Sequence, residues 1–269
     1  MRIALSQLCS TRDVEANLAE CRRQAHVAAG EGATWVLFPE NAPFLGKDVE
    51  KEAVAEGLDG PIVGQFREMA SRNGVWVTLG SFAERIEGSA KTYNTQLLIT
   101  PDGAIGSVYR KIHMFDVEVE GGLRYLESEG VEAGTDVVTG TVDVDGQHTT
   151  VGLSVCYDLR FPELYRELAA RGAQILLVPA AFTLQTGRDH WHPLLQARAI
   201  ENQAWVLAPG QFGNHFGDRW SYGHSVAYDP WGRMVACASD RVGLTYAQID
   251  HELVASVRRR MPCLSHRRL

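Results

Sequence analysis

Short apolar runs of strand character alternate along this chain with longer amphipathic segments, and that alternation limits the fold more than any single motif does. "RIALSQL" and "ATWVLFPE" read as strands around a helix in "DVEANLAECRRQAHVAAG". There Val14, Leu18, Cys21, Ala25 and Ala28 recur at helical spacing behind Asp13 as N-cap. A second helix, "PIVGQFREMASRNG", opens at Pro61 and closes at Asn73-Gly74, and "VWVTLGSFAE" follows as a strand. Pro-Asp-Gly in "TQLLITPDGAIGSVYRKIH" marks a hairpin, so the sheet is mixed. "VGLSVC", "AQILLVP", "AWVLAPG" and "GHSVAYDPWGRMVACA" continue the strands, with helices in "PELYRELAARG" and "HPLLQARAIENQ". This pattern predicts an α/β sandwich in which helices cover one face of each sheet and the two sheets pack together.

The 269 residues suit one domain over 1–269, large enough to build a core without disulfide staples. Hydrophobic residues make up 45% of the chain, yet no apolar run approaches the roughly 18 to 20 residues of a membrane span, so neither membrane nor lipid is expected as partner. The start, "MRIALSQLCSTRDVEANL", reads as the first strand rather than a secretory signal. Five scattered cysteines with no C-x-x-C pair point to reduced thiols and a cytoplasmic location. A net charge of -7 argues against nucleic acid. The Arg-rich ending "SVRRRMPCLSHRRL" reads as a solvated or subunit-clamping tail.

Three strand ends carry reactive groups. "TVGLSVCYDLRF" places Cys156 where an apolar run meets charge, "ATWVLFPEN" delivers Glu40, and "GSVYRKIHMFD" delivers Lys111. Loops at strand C-termini are where α/β folds bind ligands. Taken singly, Cys156 is equally a small buried hydrophobe, and Glu40 or Lys111 an ordinary ion-pair member. Together they make a complete set: a thiol nucleophile, a carboxylate to take its proton and an ammonium to steady an oxyanion. Asp158 and Arg160 make the site polar, and turn amides beginning with that of Tyr157 are candidate oxyanion donors. His190 and His192 in "DHWH" lack the H-E-x-x-H arrangement and a companion cysteine pair, so they read as packing or hydrogen-bonding histidines, with no metal or other cofactor in the reaction. Cys9, Cys21, Cys237 and Cys263 read as structural.

"FPEN", "YRKIHMFD" and "VCYDLRFPEL", in that order, resemble the nitrilase superfamily of carbon-nitrogen hydrolases over nearly the whole chain. "GRDHWHPLLQARAIENQAWV", "SYGHSVAYDPWG" and the "HRR" ending look like its Nit branch. The resemblance implies a four-layer α-β-β-α sandwich with mixed sheets, paired into a homodimer through helices. It also implies roles: Glu40 as general base, Lys111 steadying the tetrahedral intermediate, Cys156 as nucleophile, and Glu127 as the second glutamate, in an acidic loop shared with Glu118, Glu120, Glu129 and Glu132. By the same analogy Tyr157, Arg160, Phe182 and Thr183 contact substrate, and Lys47, Arg160 and Arg188 are candidate partners of a substrate carboxylate. The implied reaction hydrolyses a small amide through a cysteine thioester, releasing ammonia. Deaminated glutathione ranks first as substrate, ahead of α-ketoglutaramate, with N-carbamoyl compounds and nitriles open to the same three residues. Arg219 before S-Y-G-H-S fits the first of these, while Phe216 departs from the His usual there.

Overall fold

The computed structural model describes residues 1–119, 123–144 and 146–268, so Glu120 lies outside the described residues. In chain order the first strands are β1 (Arg2–Gln7), β2 (Trp35–Leu37), β3 (Trp76–Arg85), β4 (Thr92–Ile99) and β5 (Ile105–Arg110). A hairpin of β6 (Asp116–Val119) and β7 (Leu123–Leu126) follows, then β8 (Val131–Glu132). The second half supplies β9 (Thr139–Val144), β10 (Gln147–Gly152), β11 (Ile175–Leu177) and β12 (Trp205–Ala208). A second hairpin, β13 (Phe212–Phe216) and β14 (Arg219–Tyr222), precedes β15 (Val226–Tyr228), β16 (Met234–Cys237) and β17 (Gly243–Gln248). The helices are α1 (Val14–Gly30), α2 (Pro61–Asn73), α3 (Pro162–Ala170), α4 (Leu184–Asn202) and α5 (His251–Arg260).

Two mixed sheets form, ordered β17-β1-β2-β3-β4-β5 with β8 on β4, and β16-β15-β12-β11-β10-β9. The centre of each is parallel: β1, β2 and β3 in one, β10, β11 and β12 in the other. Strand alternation then sorts the core into layers. Ile3, Leu5, Trp35 and Leu37 point to the opposite sheet, where Ile175, Leu177, Trp205 and Leu207 meet them. Their neighbours Ala4 and Val36 face α1 and α2, while Leu176 and Val206 face α3 and α4. The result is the four-layer α-β-β-α sandwich. Each such fully buried apolar side chain contributes about 1.5–3 kcal/mol of transfer free energy, so the layer between the sheets holds them firmly together.

Local chemistry follows the sequence at the helix ends. Asp13 accepts from the Ala16 amide at 3.0 Å, and Gly74 closes α2 in the left-handed region at φ 63°. Two expectations shift. The ladder of β10 ends at Gly152, so Cys156 stands past the strand, its amide donating to the Pro179 carbonyl at 2.9 Å. And α4 begins at Leu184, with Pro193 inside it rather than near its start. Proline removes one helical hydrogen bond, but tertiary contacts hold the first half: Trp191 Nε1 donates to the His224 carbonyl at 3.0 Å, and Gly187 packs against Tyr222. Among the described residues no helix is long and apolar enough to cross a membrane.

Candidate active site

Glu40, Lys111 and Cys156 each follow a strand that is fixed on both sides. Glu40 sits on the turn after β2, where Asn41 takes φ 56° and its amide donates to Ser81 Oγ at 2.8 Å. Gly80 permits this turn: a Cβ there would lie 2.1 Å from the Phe38 carbonyl oxygen. Lys111 follows β5, its amide bonded to the Asn94 carbonyl at 2.9 Å and its own carbonyl taken by the Gly134 amide at 2.8 Å. Cys156 adopts φ 49° at the head of a single helical turn, Cys156–Arg160. A left-handed conformation is costly for a residue with a Cβ, and such strain concentrates at functional sites.

Asp158 holds the turn of Cys156 in place. It is fully buried and accepts from the Val155 amide at 2.8 Å, the Tyr109 hydroxyl at 2.7 Å and the His113 amide at 3.1 Å. The expectation that Asp158 makes the site polar is therefore corrected: its carboxylate is spent beneath the turn on these donors and on His113 Nδ1 at 2.7 Å.

The side chains converge at the floor of a cavity of about 390 Å³. Lys111 Nζ lies 3.2 Å from Glu40 Oε1 and 2.7 and 3.0 Å from the two oxygens of Glu127. Glu40 Oε2 accepts from the Ala181 amide at 2.8 Å, a bond that crosses from one sheet to the other. Asn94 Nδ2 donates to Glu40 at 2.9 Å and to Glu127 at 3.3 Å, tying the two carboxylates together. Glu127 also takes the Phe115 amide at 2.7 Å.

Electrostatics follow from this crowding. Burial by itself would lower the Lys111 pKa, but the charges of Glu127 and Glu40 outweigh it and hold the ammonium well above its usual range. Burial pushes Glu127 up, and Lys111 with Lys51 pulls it further down, so its net shift is below the ordinary carboxylate value. Burial and then the negative charge of Glu40 raise Cys156, against the pull of Lys111. The resting sulfur is thus a thiol poised beside a carboxylate.

All four residues expected at the catalytic centre line this cavity, and so do Tyr157, Arg160, Phe182 and Thr183. Lys47 and Glu129 stand at its rim; Glu118 and Glu132 are exposed, the latter paired with Lys91 at 3.3 Å. Arg188 is exposed on α4 and is not a lining residue, which corrects its reading as a carboxylate partner: it sits on the outward side of a helix whose first turn faces the cavity. Arg160 lies over the Phe182 ring at 5.3 Å and donates to His190 Nδ1 at 3.3 Å. Phe216 and Arg219, delivered by the β13–β14 hairpin, also line the cavity. Arg219 stacks on Tyr125 at 4.9 Å, and its buried Nη1 has no protein partner among the described residues. Asn94 and Lys51 were not singled out from sequence. An asparagine within β4 was the available signal, since strands disfavour it.

The family model for carbon-nitrogen hydrolase matches residues 2–259. The chain belongs to the carbon-nitrogen hydrolase family. It is 43% identical over 265 residues to a protein named deaminated glutathione amidase from Synechocystis, covering 98% of this chain and 97% of that one. Among solved structures, the C. elegans NitFhit protein superposes with a TM-score of 0.90 at 39% identity, covering 99% of this chain and 65% of that longer one. Nit3 of Saccharomyces cerevisiae, described as a member of branch 10 of the nitrilase superfamily, gives a TM-score of 0.89 at 29% identity, covering 100% and 97%. The family and these relatives make the protein an amidase of the nitrilase superfamily.

Proposed function

We propose that this carbon-nitrogen hydrolase cleaves an amide of deaminated glutathione through a Cys156 thioester, with Glu40 as general base and acid. The observation that carries the proposal is the meeting of Glu40, Lys111 and Cys156 on one cavity floor, with Lys111 Nζ 3.2 Å from Glu40. The sulfur attacks the carbonyl carbon as its proton passes to Glu40, and the new oxyanion is met by the Lys111 ammonium and the Tyr157 amide. Glu40 returns the proton to the amide nitrogen, the C–N bond breaks and the amine leaves. Water, losing a proton to Glu40, then attacks the thioester; the C–S bond breaks, the sulfur is reprotonated and the acid departs. Glu127 acts as a positioning residue that keeps Lys111 charged and in place.

The substrate class rests on the name of the 43% identical relative and on the cationic lining of the cavity. Arg160, Arg219 and Lys51 suit a substrate with carboxylates, and the orphaned Nη1 of Arg219 offers one of them a donor. Ammonia is the product when the amide is primary; deaminated glutathione, whose amides are secondary, releases an amine instead. The exposed apolar side chains Ile200, Trp231 and Met261, at 51%, 44% and 48% exposure, support a homodimer burying that surface. Five free cysteines fit a reducing cytoplasm, and one domain over the whole chain fits the shared interlayer core.

The test is hydrolysis of deaminated glutathione and α-ketoglutaramate side by side, reading keto acid, free amine and ammonia, with Cys156→Ala as the blank. Faster turnover of deaminated glutathione is expected, with none in the variant. Preference for α-ketoglutaramate would overturn the substrate, and turnover by Cys156→Ala would overturn the nucleophile.

A further inference from the structure

Away from the catalytic cavity, three side chains that sequence distance separates come together. His192 lies on α4, His224 follows β14, and Cys237 closes β16. One ring nitrogen from each histidine and the cysteine sulfur all lie within 4.8 Å of one another. The pairing of Cys237 Sγ with His224 Nδ1 is already 3.9 Å. Tetrahedral zinc, with bonds of about 2.0–2.1 Å to nitrogen and 2.3 Å to sulfur, sets its ligand atoms roughly 3.3–3.6 Å apart. Closing the triangle therefore takes only a modest turn of side chains.

The surroundings favour ligation. Nε2 of His224 faces Asp240 Oδ1 at 3.2 Å, so the proton sits on that nitrogen and Nδ1 keeps its lone pair toward the sulfur. His224 has φ 53°, a left-handed backbone that L-residues rarely adopt, and its ring stacks on Tyr222 with centroids 4.3 Å apart. Nδ1 of His192 is fixed by the Tyr228 hydroxyl at 2.9 Å. Cys237 is exposed, which leaves a path for an ion and room for water as a fourth ligand. Thiolate with two imidazoles selects borderline-soft divalent ions over magnesium or calcium.

We propose that His192, His224 and Cys237 form a binding site for a zinc-class divalent cation, with Asp240 orienting His224. Cys237 binds as the thiolate, its proton passing to solvent. The ion ties α4 to the strands β15 and β16, and α4 begins beside the cavity at Thr183 and Thr186. Its place is structural or regulatory, since the catalytic steps need no metal.

The test is a cobalt(II) titration of the full chain carrying Cys156→Ala, which removes the catalytic thiol as a competing ligand. One equivalent should produce a thiolate-to-cobalt charge-transfer band that zinc abolishes. A further Cys237→Ser change should remove the band with the thermal unfolding of the metal-free protein unchanged, and Asp240→Asn should weaken zinc about 10- to 100-fold. Absence of the band, or its survival in Cys237→Ser, would overturn the site.

Discussion

Replacing Glu127 by glutamine removes one charge from the centre while keeping shape and the hydrogen bond from the Phe115 amide. Lys111 then faces a neutral amide oxygen where a carboxylate oxygen stood at 2.7 Å, and retains Glu40 at 3.2 Å as its single carboxylate. Removing one member of a buried ion pair costs about 3–5 kcal/mol, and the surviving Glu40 contact puts this change near the lower figure. For a chain of this size about 3 kcal/mol corresponds to a fall in Tm of roughly 6–12 °C. Catalysis suffers by a different route. The ammonium, no longer drawn to Glu127, leans on Glu40 and occupies the oxygen that must accept the thiol proton. We expect kcat to drop about 100-fold, within the range that general acid–base catalysis supplies, with KM within about twofold because no substrate-binding group is touched. Acid stability supplies a second readout. Glu127 is held below its ordinary value of 4.5, so its stabilisation is complete above that pH and fades as the pH falls through the folded-state pKa. The wild type should lose stability over that window, and Glu127→Gln should lack that share of the loss. Steady-state product release and thermal unfolding between about pH 3 and 7 measure both effects. A variant with kcat within about threefold of wild type and the same acid profile would refute the coupling of Glu127 to Glu40 through Lys111.

Gly80→Ala should place a Cβ 2.1 Å from the Phe38 carbonyl oxygen, forcing the Glu40 turn to move; the expected cost is about 3 kcal/mol in stability and roughly 100-fold in kcat, and wild-type kinetics would contradict the close approach. Arg219→Gln should raise KM for a carboxylate-bearing amide about tenfold or more while sparing kcat, and a loss confined to kcat would remove Arg219 from substrate binding.

Much of this arrangement was legible in the residues because strand ends announce themselves. An apolar run that stops at Glu40 or Lys111 leaves a charge where a core strand would have continued, and helix caps such as Asp13 and Gly74 are local chemistry that tertiary packing does not override. The rest depends on contacts between distant segments. Asn94 links Glu40 to Glu127 across three parts of the chain, and Asp158 beside Cys156 turns beneath the site rather than making it polar, because sequence gives adjacency, not direction. The early start of α4 was hidden by Pro193, which reads as a helix opening unless Trp191 is known to be anchored at His224. The ligands at 192, 224 and 237 have no motif spacing, since a strand, a hairpin and a helix from different segments bring them together.

The bond from the Ala181 amide to Glu40 joins groups carried by different sheets, and Cys156 likewise rides on the sheet opposite Glu40 and Lys111. The nucleophile and base of the proposed mechanism are therefore two halves of a vernier whose setting is the slip of one sheet over the other. Trp35, Trp205 and Leu177 are not among the residues that line the cavity, yet they belong to the packed layer on which that setting rests. Loosening the interlayer core should silence the enzyme while its secondary structure is still intact, which makes turnover the first gauge of the molecule's solidity to fail on heating.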